Sequence, residues 1–120
     1  MAISKLTVET VNESLPSALI EVKATIKNIS PKIIDASPVM RINGGWVDEG
    51  SVKTITPEGS ATWILYFIMP TVDALVRVED WCEDFLGNPW HLDVVFEKII
   101  EVLTQESEFD NLVVTISKGE

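Results

Sequence analysis

Between residues 20 and 26 the chain reads IEVKATI, and its apolar side chains alternate strictly with charged or polar ones. The apolar positions of this segment are Ile20, Val22, Ala24 and Ile26. A period of two is the repeat of a β-strand that buries one face and exposes the other to water. The segment therefore predicts a half-buried β-strand.

Patterns on both sides of this strand favour further strands. Leu6 and Val8 alternate with polar residues in the same way, and residues 12–17, which contain a proline, predict a turn. Residues 29–38 carry two prolines and predict a loop. Residues 39–42 then predict a short strand that ends at an Asn-Gly-Gly turn signal.

Turn signals divide the rest of the chain. Residues 56–59, TPEG, have proline and glycine where a β-turn prefers them. Residues 84–89 contain a Gly-Asn pair and predict a hairpin loop. Strands are predicted over residues 51–55, 61–69 and 75–81, with another beginning near Trp90.

Residues 92–103 fit two kinds of secondary structure, because their apolar residues also suit one face of a helix. These residues are Leu92, Val95, Phe96, Ile99, Ile100 and Leu103. We predict a strand, since β-branched residues are dense in this segment and every neighbouring element is predicted as β.

Together these patterns predict an all-β protein, an immunoglobulin-like antiparallel β-sandwich of seven to eight strands. The 120 residues, of which 46% are hydrophobic, suffice for one core, so we expect a single domain over residues 1–120. Within it, residues 1–18 supply an N-terminal strand and turn, and residues 19–103 supply the body of the sandwich. Residues 104–120 supply an acidic connector and an extra C-terminal strand at a sheet edge.

Nineteen acidic residues against nine basic ones give the chain a formal charge of -10. This charge repels phosphate backbones and anionic lipid, so nucleic acid and membrane surfaces are poor candidate partners. The first residues lack the pattern of a secretory signal, and the longest apolar run, residues 63–69, is too short to span a bilayer. We therefore expect no membrane insertion, and a protein of the cell interior or of a particle assembled there.

Several segments resemble the immunoglobulin-like repeats of bacterial and archaeal surface proteins known as CARDB-like domains. The segments are residues 20–30 (IEVKATIKNIS), 58–60 (EGS), 62–70 (TWILYFIMP) and 76–80 (VRVED). The Phe-x-Met-Pro of residues 67–70, with Asp73, also resembles a signature of some cell-surface β-repeats, and the resemblance covers residues 19–103. It implies a spacer or binding module without a catalytic site. Viral and phage structural proteins use similar stand-alone domains.

No catalytic residues are predicted. The single histidine, His91, has no GxSxG motif for a Ser-His-Asp site. A Cys-His nucleophile pair is the enzymatic alternative, since His91 and the single cysteine, Cys82, flank the same predicted hairpin loop. We favour the interpretation in which Cys82 packs as a small apolar side chain and His91 is exposed. The chain is thus predicted not to be an enzyme and to need no cofactor.

Metal and nucleotide motifs are missing from the sequence. One cysteine excludes an intrachain disulfide and a CxxC framework. Acidic residues cluster at predicted loops, but none of the clusters has the DxDxDG spacing of a calcium loop, and no phosphate-binding glycine motif occurs. We predict a solvated acidic rim and no metal site.

Aromatic residues suggest one candidate binding site. Trp81, Phe85 and Trp90 surround the predicted hairpin loop, and the loop with Ile33 and Ile34 is expected to emerge at the same end of the sandwich. Loop aromatics can form a platform that stacks on sugars or on another small ligand. In the alternative interpretation, the tryptophans cap the core.

The strand predicted over residues 61–69 is apolar on both faces, although only one face can point into a two-layer core. The second face, with Ile64, Tyr66 and Ile68, needs cover from a terminal segment or from another chain. We therefore predict a non-catalytic interaction or structural module, with a protein partner or a homo-oligomer at this surface. A carbohydrate- or small-ligand-binding module is the alternative.

Overall fold

The computed structural model describes residues 2–84, 89–107 and 114–118, with side chains described up to residue 104. Ten strands lie in these ranges, and no helix that could cross a membrane is found among them. The strands are β1 (Ser4–Glu9), β2 (Glu13–Ser14), β3 (Leu19–Asn28), β4 (Ile34–Ile42), β5 (Gly45–Glu49), β6 (Lys53–Ile55), β7 (Ser60–Ile68), β8 (Ala74–Asp84), β9 (His91–Ser107) and β10 (Val114–Lys118).

The strands form two packed sheets. The small sheet has the order β1-β3-β7, and the large sheet has the order β10-β9-β8-β4-β5, with β6 beside β4 and β2 beside β9. All pairs are antiparallel except the two-residue pairing of β2 with β9. Two antiparallel sheets packed face to face confirm the predicted β-sandwich, with ten described strands instead of seven to eight.

The core lies where the alternating apolar faces of the two sheets meet. Its largest cluster takes side chains from β3, β4, β7, β8 and β9. Fully buried members include Val22, Leu65, Met40, Val76 and Ile100. Each such side chain stabilises the fold by roughly 1.5–3 kcal/mol relative to an exposed one, so the period of two that predicts the strands also supplies the energy that holds the sheets together.

The loop predicted over residues 29–38 is wrong for its second half, because β4 begins at Ile34 and contains Pro38. The partner strands β5 and β6 cover the two ends of β4 and leave a gap beside Pro38. The Pro38 carbonyl faces this gap and accepts a hydrogen bond from the Gly50 N–H at 2.9 Å. The missing N–H of proline therefore costs no ladder hydrogen bond.

Two short strands, β2 and β5, were not predicted. β2 has two residues and lies inside the predicted turn, and β5 starts at Gly45, which together with Asn43 and Gly44 was read only as a stop signal. Asn43 and Gly44 have positive φ angles of 50° and 87°, the conformation of a tight hairpin turn. The turn signal was right, and it connects β4 to β5.

The strand prediction for residues 92–103 is confirmed, since β9 runs through all of them. β9 continues to Ser107, so the acidic connector predicted at the start of residues 104–120 is wrong over residues 104–107, while residues 108–113 lie outside the described ranges. The extra C-terminal strand is confirmed as β10, an edge strand of the large sheet that pairs with β9. β10 therefore does not cover β7, which lies in the other sheet.

Candidate interaction surface and a buried polar cluster

The outward face of β7 carries the predicted interaction residues, and all three are exposed. Ile64 is 41% exposed, Tyr66 45% and Ile68 60%. On the neighbouring strand β3, Leu19 pairs directly with Ile68 and is 65% exposed. We call these four side chains the β7 patch. Directly paired and same-face residues are close enough for their side chains to touch, so the patch is continuous.

The inward face of β7 explains why the strand is apolar on both sides. Trp63, Leu65 and Phe67 are buried between the sheets. The Trp63 indole N–H donates to the Ser51 carbonyl at 2.7 Å, and the Lys53 ammonium lies 4.9 Å from the indole ring centre. Core packing therefore accounts for the inward face, and no described segment buries the outward one.

β7 is an edge strand, but two of its free backbone groups are occupied by side chains. The Asp48 carboxylate accepts a hydrogen bond from the Tyr66 N–H at 3.0 Å, and the Lys53 ammonium donates to the Thr62 carbonyl at 2.7 Å. Charged side chains at an edge oppose the addition of another strand. A partner is therefore expected to meet the β7 patch from its face and not along its edge.

Charged residues on the same face of the small sheet are mixed in sign. The outward positions of β1 and β3 hold Lys5, Glu9, Glu21, Lys23 and Lys27. Three lysines against two glutamates give these outward positions a charge of +1, and Glu58, which pairs with Lys27 at 3.4 Å, brings the face close to neutral, although the whole chain carries -10. The acidic charge of the protein is thus located elsewhere.

The predicted aromatic platform is only partly brought together. Trp90 and Ile33 are exposed, whereas Ile34 is fully buried in the core and does not contribute to a surface. Trp81 points outward from the large sheet and is half-buried beside Leu92, its neighbour on β9. Phe85 lies outside the described residues.

Trp81 belongs to a charged network on the outer face of the large sheet. Its indole N–H donates to the Glu79 carboxylate at 3.1 Å, and the Arg77 Nε donates to the same carboxylate at 2.8 Å. The Arg41 guanidinium lies 3.4 Å away. Burial alone would raise the pKa of Glu79, but the hydrogen bonds from Arg77 and Trp81 and the two positive charges lower that pKa below its usual range.

A buried polar cluster lies where β1 crosses β8 and β9. The Ser4 hydroxyl is in hydrogen-bond contact with the carboxylates of both Asp80 and Asp93, at 2.5 Å from Asp93 Oδ2. The Cys82 thiol donates to Asp80 Oδ1 at 2.8 Å. Asp80 and Cys82 are fully buried, and desolvation raises the pKa of both groups.

Asp93 reaches this cluster through an irregularity in β9. The register between β8 and β9 shifts so that Val94 pairs with Asp80 and Leu92 with Trp81, which leaves Asp93 as the extra residue of a β-bulge. Bulges redirect side chains in this way. The Asp93 carboxylate accepts hydrogen bonds from the backbone N–H groups of Ile3 and Ser4 at 3.0 to 3.2 Å. It therefore fastens the start of β1 to the large sheet.

His91 lies at the open side of the cluster. Its Nδ1 is 2.8 Å from the Pro89 carbonyl oxygen, so Nδ1 carries the hydrogen. Its Nε2 points to Asp93 Oδ1 at 3.5 Å. His91 is also the register partner of Cys82, as the predicted hairpin requires. Because Cys82 is buried and its thiol pKa is raised, the thiolate of a nucleophilic pair is disfavoured.

Sequence reasoning missed this cluster, although a signal was present. Asp80 and Cys82 are two residues apart, as are His91 and Asp93, and the two pairs flank one hairpin loop. A period of two places both members of a pair on one strand face. Elsewhere among residues 2–84 and 89–104, no other group of three acidic, thiol or imidazole side chains converges within metal-binding distance.

Known proteins resemble the chain only in fold. No protein-family model matches it, and no curated protein does. Among solved structures, the structural genomics target SoR45 is 16% identical, with a TM-score of 0.53 over 82% of this chain and 83% of that one. The β-glucuronidase 2 of Bacteroides uniformis is 13% identical, with a TM-score of 0.52 over 92% of this chain but only 14% of the enzyme chain.

Proposed function

We propose that this protein is a non-catalytic interaction module that associates through the β7 patch, with a second copy of the chain as the partner. One observation carries the proposal. A continuous apolar strip of Ile64, Tyr66 and Ile68 on the edge strand β7, extended by Leu19 on β3, lies exposed, and the inward face of β7 already fills the core. Contiguous exposed apolar surface on a small soluble domain is typical of an interface.

Charge favours a second copy as the occupant. A protein with a charge of -10 repels its own copies wherever acidic surfaces meet, but the face around the β7 patch is close to neutral. Glu21 and Lys23 occupy neighbouring outward positions of β3, opposite Tyr66 and Ile64. In a two-fold contact, Glu21 of each copy can meet Lys23 of the other, since an isologous interface pairs residue i with residue j in both directions.

The size of the β7 patch predicts a weak complex. Burying the exposed half of each apolar side chain contributes about 1 kcal/mol, so the eight side chains of two copies contribute about 8 kcal/mol, which lies within the range of about 4–15 kcal/mol that association costs in lost freedom of motion. The surrounding charged side chains must therefore join the contact. We expect a dimer that dissociates on dilution. Such a weak contact suits a module that joins a larger assembly only where its local concentration is high.

The resemblance to CARDB-like repeats supports the same class of function, because such domains act as spacers or binding modules. The likeness to β-glucuronidase 2 contributes only the fold, since the chain corresponds to 14% of that enzyme. The alternative of a sugar-binding platform has less support, because Ile34 is buried and Trp81 donates its indole N–H to Glu79.

Size-exclusion chromatography with light scattering, over a range of protein concentrations, tests the proposal. The wild type should shift from monomer to dimer as concentration rises, and Ile64→Lys should remain a folded monomer. Ile99→Lys is the matched control, because Ile99 is an isoleucine on β9 of the large sheet that is exposed at least as much as Ile64. A wild type that stays monomeric at every concentration, or an Ile64→Lys protein that still dimerises, contradicts the proposal.

A further inference from the structure

When the carboxyl groups of Asp80 and Asp93 are both ionised, the buried polar cluster has fewer hydrogens than its hydrogen-bond contacts require. The Ser4 hydroxyl has one hydrogen, yet its oxygen lies within hydrogen-bond distance of Asp80 Oδ2 and of Asp93 Oδ2. Asp93 also accepts two backbone N–H groups, so the Ser4 hydrogen is left for Asp80. The contact between the Ser4 and Asp93 oxygens then has no hydrogen, so the cluster requires either a proton on Asp80, which would donate to Ser4 and free the Ser4 hydrogen for Asp93, or a cation beside the two acids.

The ring nitrogen of His91 that faces the cluster, Nε2, has no hydrogen to donate when the imidazole is neutral. Since Nδ1 donates its hydrogen to the Pro89 carbonyl, a neutral imidazole turns the lone pair of Nε2 towards Asp93. A ring nitrogen that is free for a metal, with the other nitrogen donating to a carbonyl, is the usual arrangement of a histidine ligand. This observation rests on the hydrogen bond from Nδ1 to Pro89 and not on the Ser4 contacts.

The donor atoms are also close to the spacing of a four-coordinate metal site. Ligating oxygen and nitrogen atoms in a tetrahedral zinc site are about 3.3 Å apart, and sulfur and oxygen about 3.6 Å. His91 Nε2 and Asp93 Oδ1 are 3.5 Å apart, while Cys82 Sγ and Asp80 Oδ1 at 2.8 Å need to separate by about 0.8 Å. The ligand atoms of Asp80, Cys82 and Asp93 all lie within 4.8 Å of one another, and His91 Nε2, which lies 3.5 Å from Asp93 but outside that group, must move inward to complete the set.

We propose that Asp80, Cys82, Asp93 and His91 bind a divalent transition metal ion at the junction of β1, β8 and β9. Two carboxylates, a thiolate and an imidazole form a donor set that suits Zn²⁺ and differs from the all-oxygen sets of Ca²⁺ and Mg²⁺. Binding releases the Cys82 thiol proton to solvent and supplies the positive charge between the buried acids. Because Asp93 also holds Ile3 and Ser4, the ion would strengthen the attachment of β1.

Titration of the full-length, chelator-treated and reduced protein with Co²⁺ tests this site. We expect one Co²⁺ ion per chain. The bound ion should show visible bands with the intensity of a four-coordinate site and a near-ultraviolet thiolate-to-cobalt charge-transfer band. Zn²⁺ should displace Co²⁺ and abolish both sets of bands. Zn²⁺ should also raise the Tm, because it binds the folded chain preferentially. A wild type without a charge-transfer band and without a Tm shift overturns the proposal, and a proton on Asp80 then completes the hydrogen bonds of the cluster.

Three variants locate the ion. Cys82→Ser should lose the charge-transfer band, and His91→Ala, at a half-exposed position, should fold and bind Co²⁺ at least about tenfold more weakly. Glu83→Gln is the matched control, because Glu83 lies on the opposite face of β8, and it should bind as the wild type does. Unchanged affinity in His91→Ala, or an unchanged band in Cys82→Ser, contradicts the assignment. These outcomes are independent of dimerisation through the β7 patch.

Discussion

The outer faces of the two sheets both expose apolar side chains but arrange them differently. On the small sheet, Leu19 and the three β7 residues form one continuous strip. On the large sheet, the charged row of Arg77 and Glu97 separates the exposed pair of Leu75 and Ile99 from the apolar residues near Trp81. The continuity of an apolar surface, and not the number of exposed apolar residues, therefore distinguishes a candidate interface from an ordinary surface.

The largest expected effect separates the two faces of β7 itself. Leu65→Lys places a charge between the sheets without a partner, and a buried unpaired charge is strongly destabilising. We expect this variant to lose its β circular dichroism spectrum and its cooperative unfolding transition. Ile64→Lys, one residue away on the outward face, is the control and should retain both. A folded Leu65→Lys protein would show that the inward face is not the core.

A smaller effect is expected in the charged network of the large sheet. Glu79→Gln removes the charge that accepts hydrogen bonds from Arg77 and Trp81 and should lower the free energy of unfolding by about 1–3 kcal/mol. Glu97→Gln is the matched control, since Glu97 is exposed and pairs with Arg77 at 3.5 Å, and should change stability by less than about 0.5 kcal/mol. Equal losses in urea melts would show that burial of Glu79 is unimportant.

The same network predicts a dependence on pH. The pKa of Glu79 is lower in the folded protein than its ordinary value of 4.5, so its contribution to stability is complete above that value. The contribution is lost as pH falls through the lowered folded pKa, because the protonated carboxyl no longer pairs with arginine. Urea melts should therefore show a gap between wild type and Glu79→Gln that closes in acid. A difference in stability that widens in acid would show that the pKa of Glu79 is raised in the folded protein and not lowered.

The smallest expected effect is on the stability of the β7 patch. Ile68→Lys should change the free energy of unfolding at monomeric concentrations by no more than about 0.5 kcal/mol, because Ile68 is mostly exposed. Denaturant melts of dilute protein check this. A loss of several kcal/mol would mean that Ile68 is covered within the monomer, in which case the β7 patch is not free to bind a partner.

The strands that the sequence predicts well are those in which burial alternates with a period of two. β3 and β7 follow the period throughout, so both their existence and their buried faces are predictable. β4 was predicted too short because Pro38 normally ends a strand, and the gap between β5 and β6 that accommodates it is a tertiary feature. The local sequence pattern therefore fails to predict a strand where a residue such as Pro38 is tolerated only because of the position of strands that are distant in sequence.

The candidate sites show the same limit. The exposure of Ile64, Tyr66 and Ile68 follows from the two-faced pattern of one strand. The polar cluster could not be predicted in full, because Ser4 comes from the far end of the chain and a bulge brings Asp93 towards Asp80. Neither the crossing of β1 over β8 nor a register shift leaves a local pattern in the sequence.

Backbone amide chemical shifts, followed from dilute to concentrated protein, compare the two outer faces most directly. A dimer through the β7 patch predicts concentration-dependent shifts at Leu19, Ile64, Tyr66 and Ile68, and none at Leu75 and Ile99. Ile64→Lys should abolish the changes. Concentration-dependent shifts confined to Leu75, Ile99 and their neighbours on the large sheet would contradict the account.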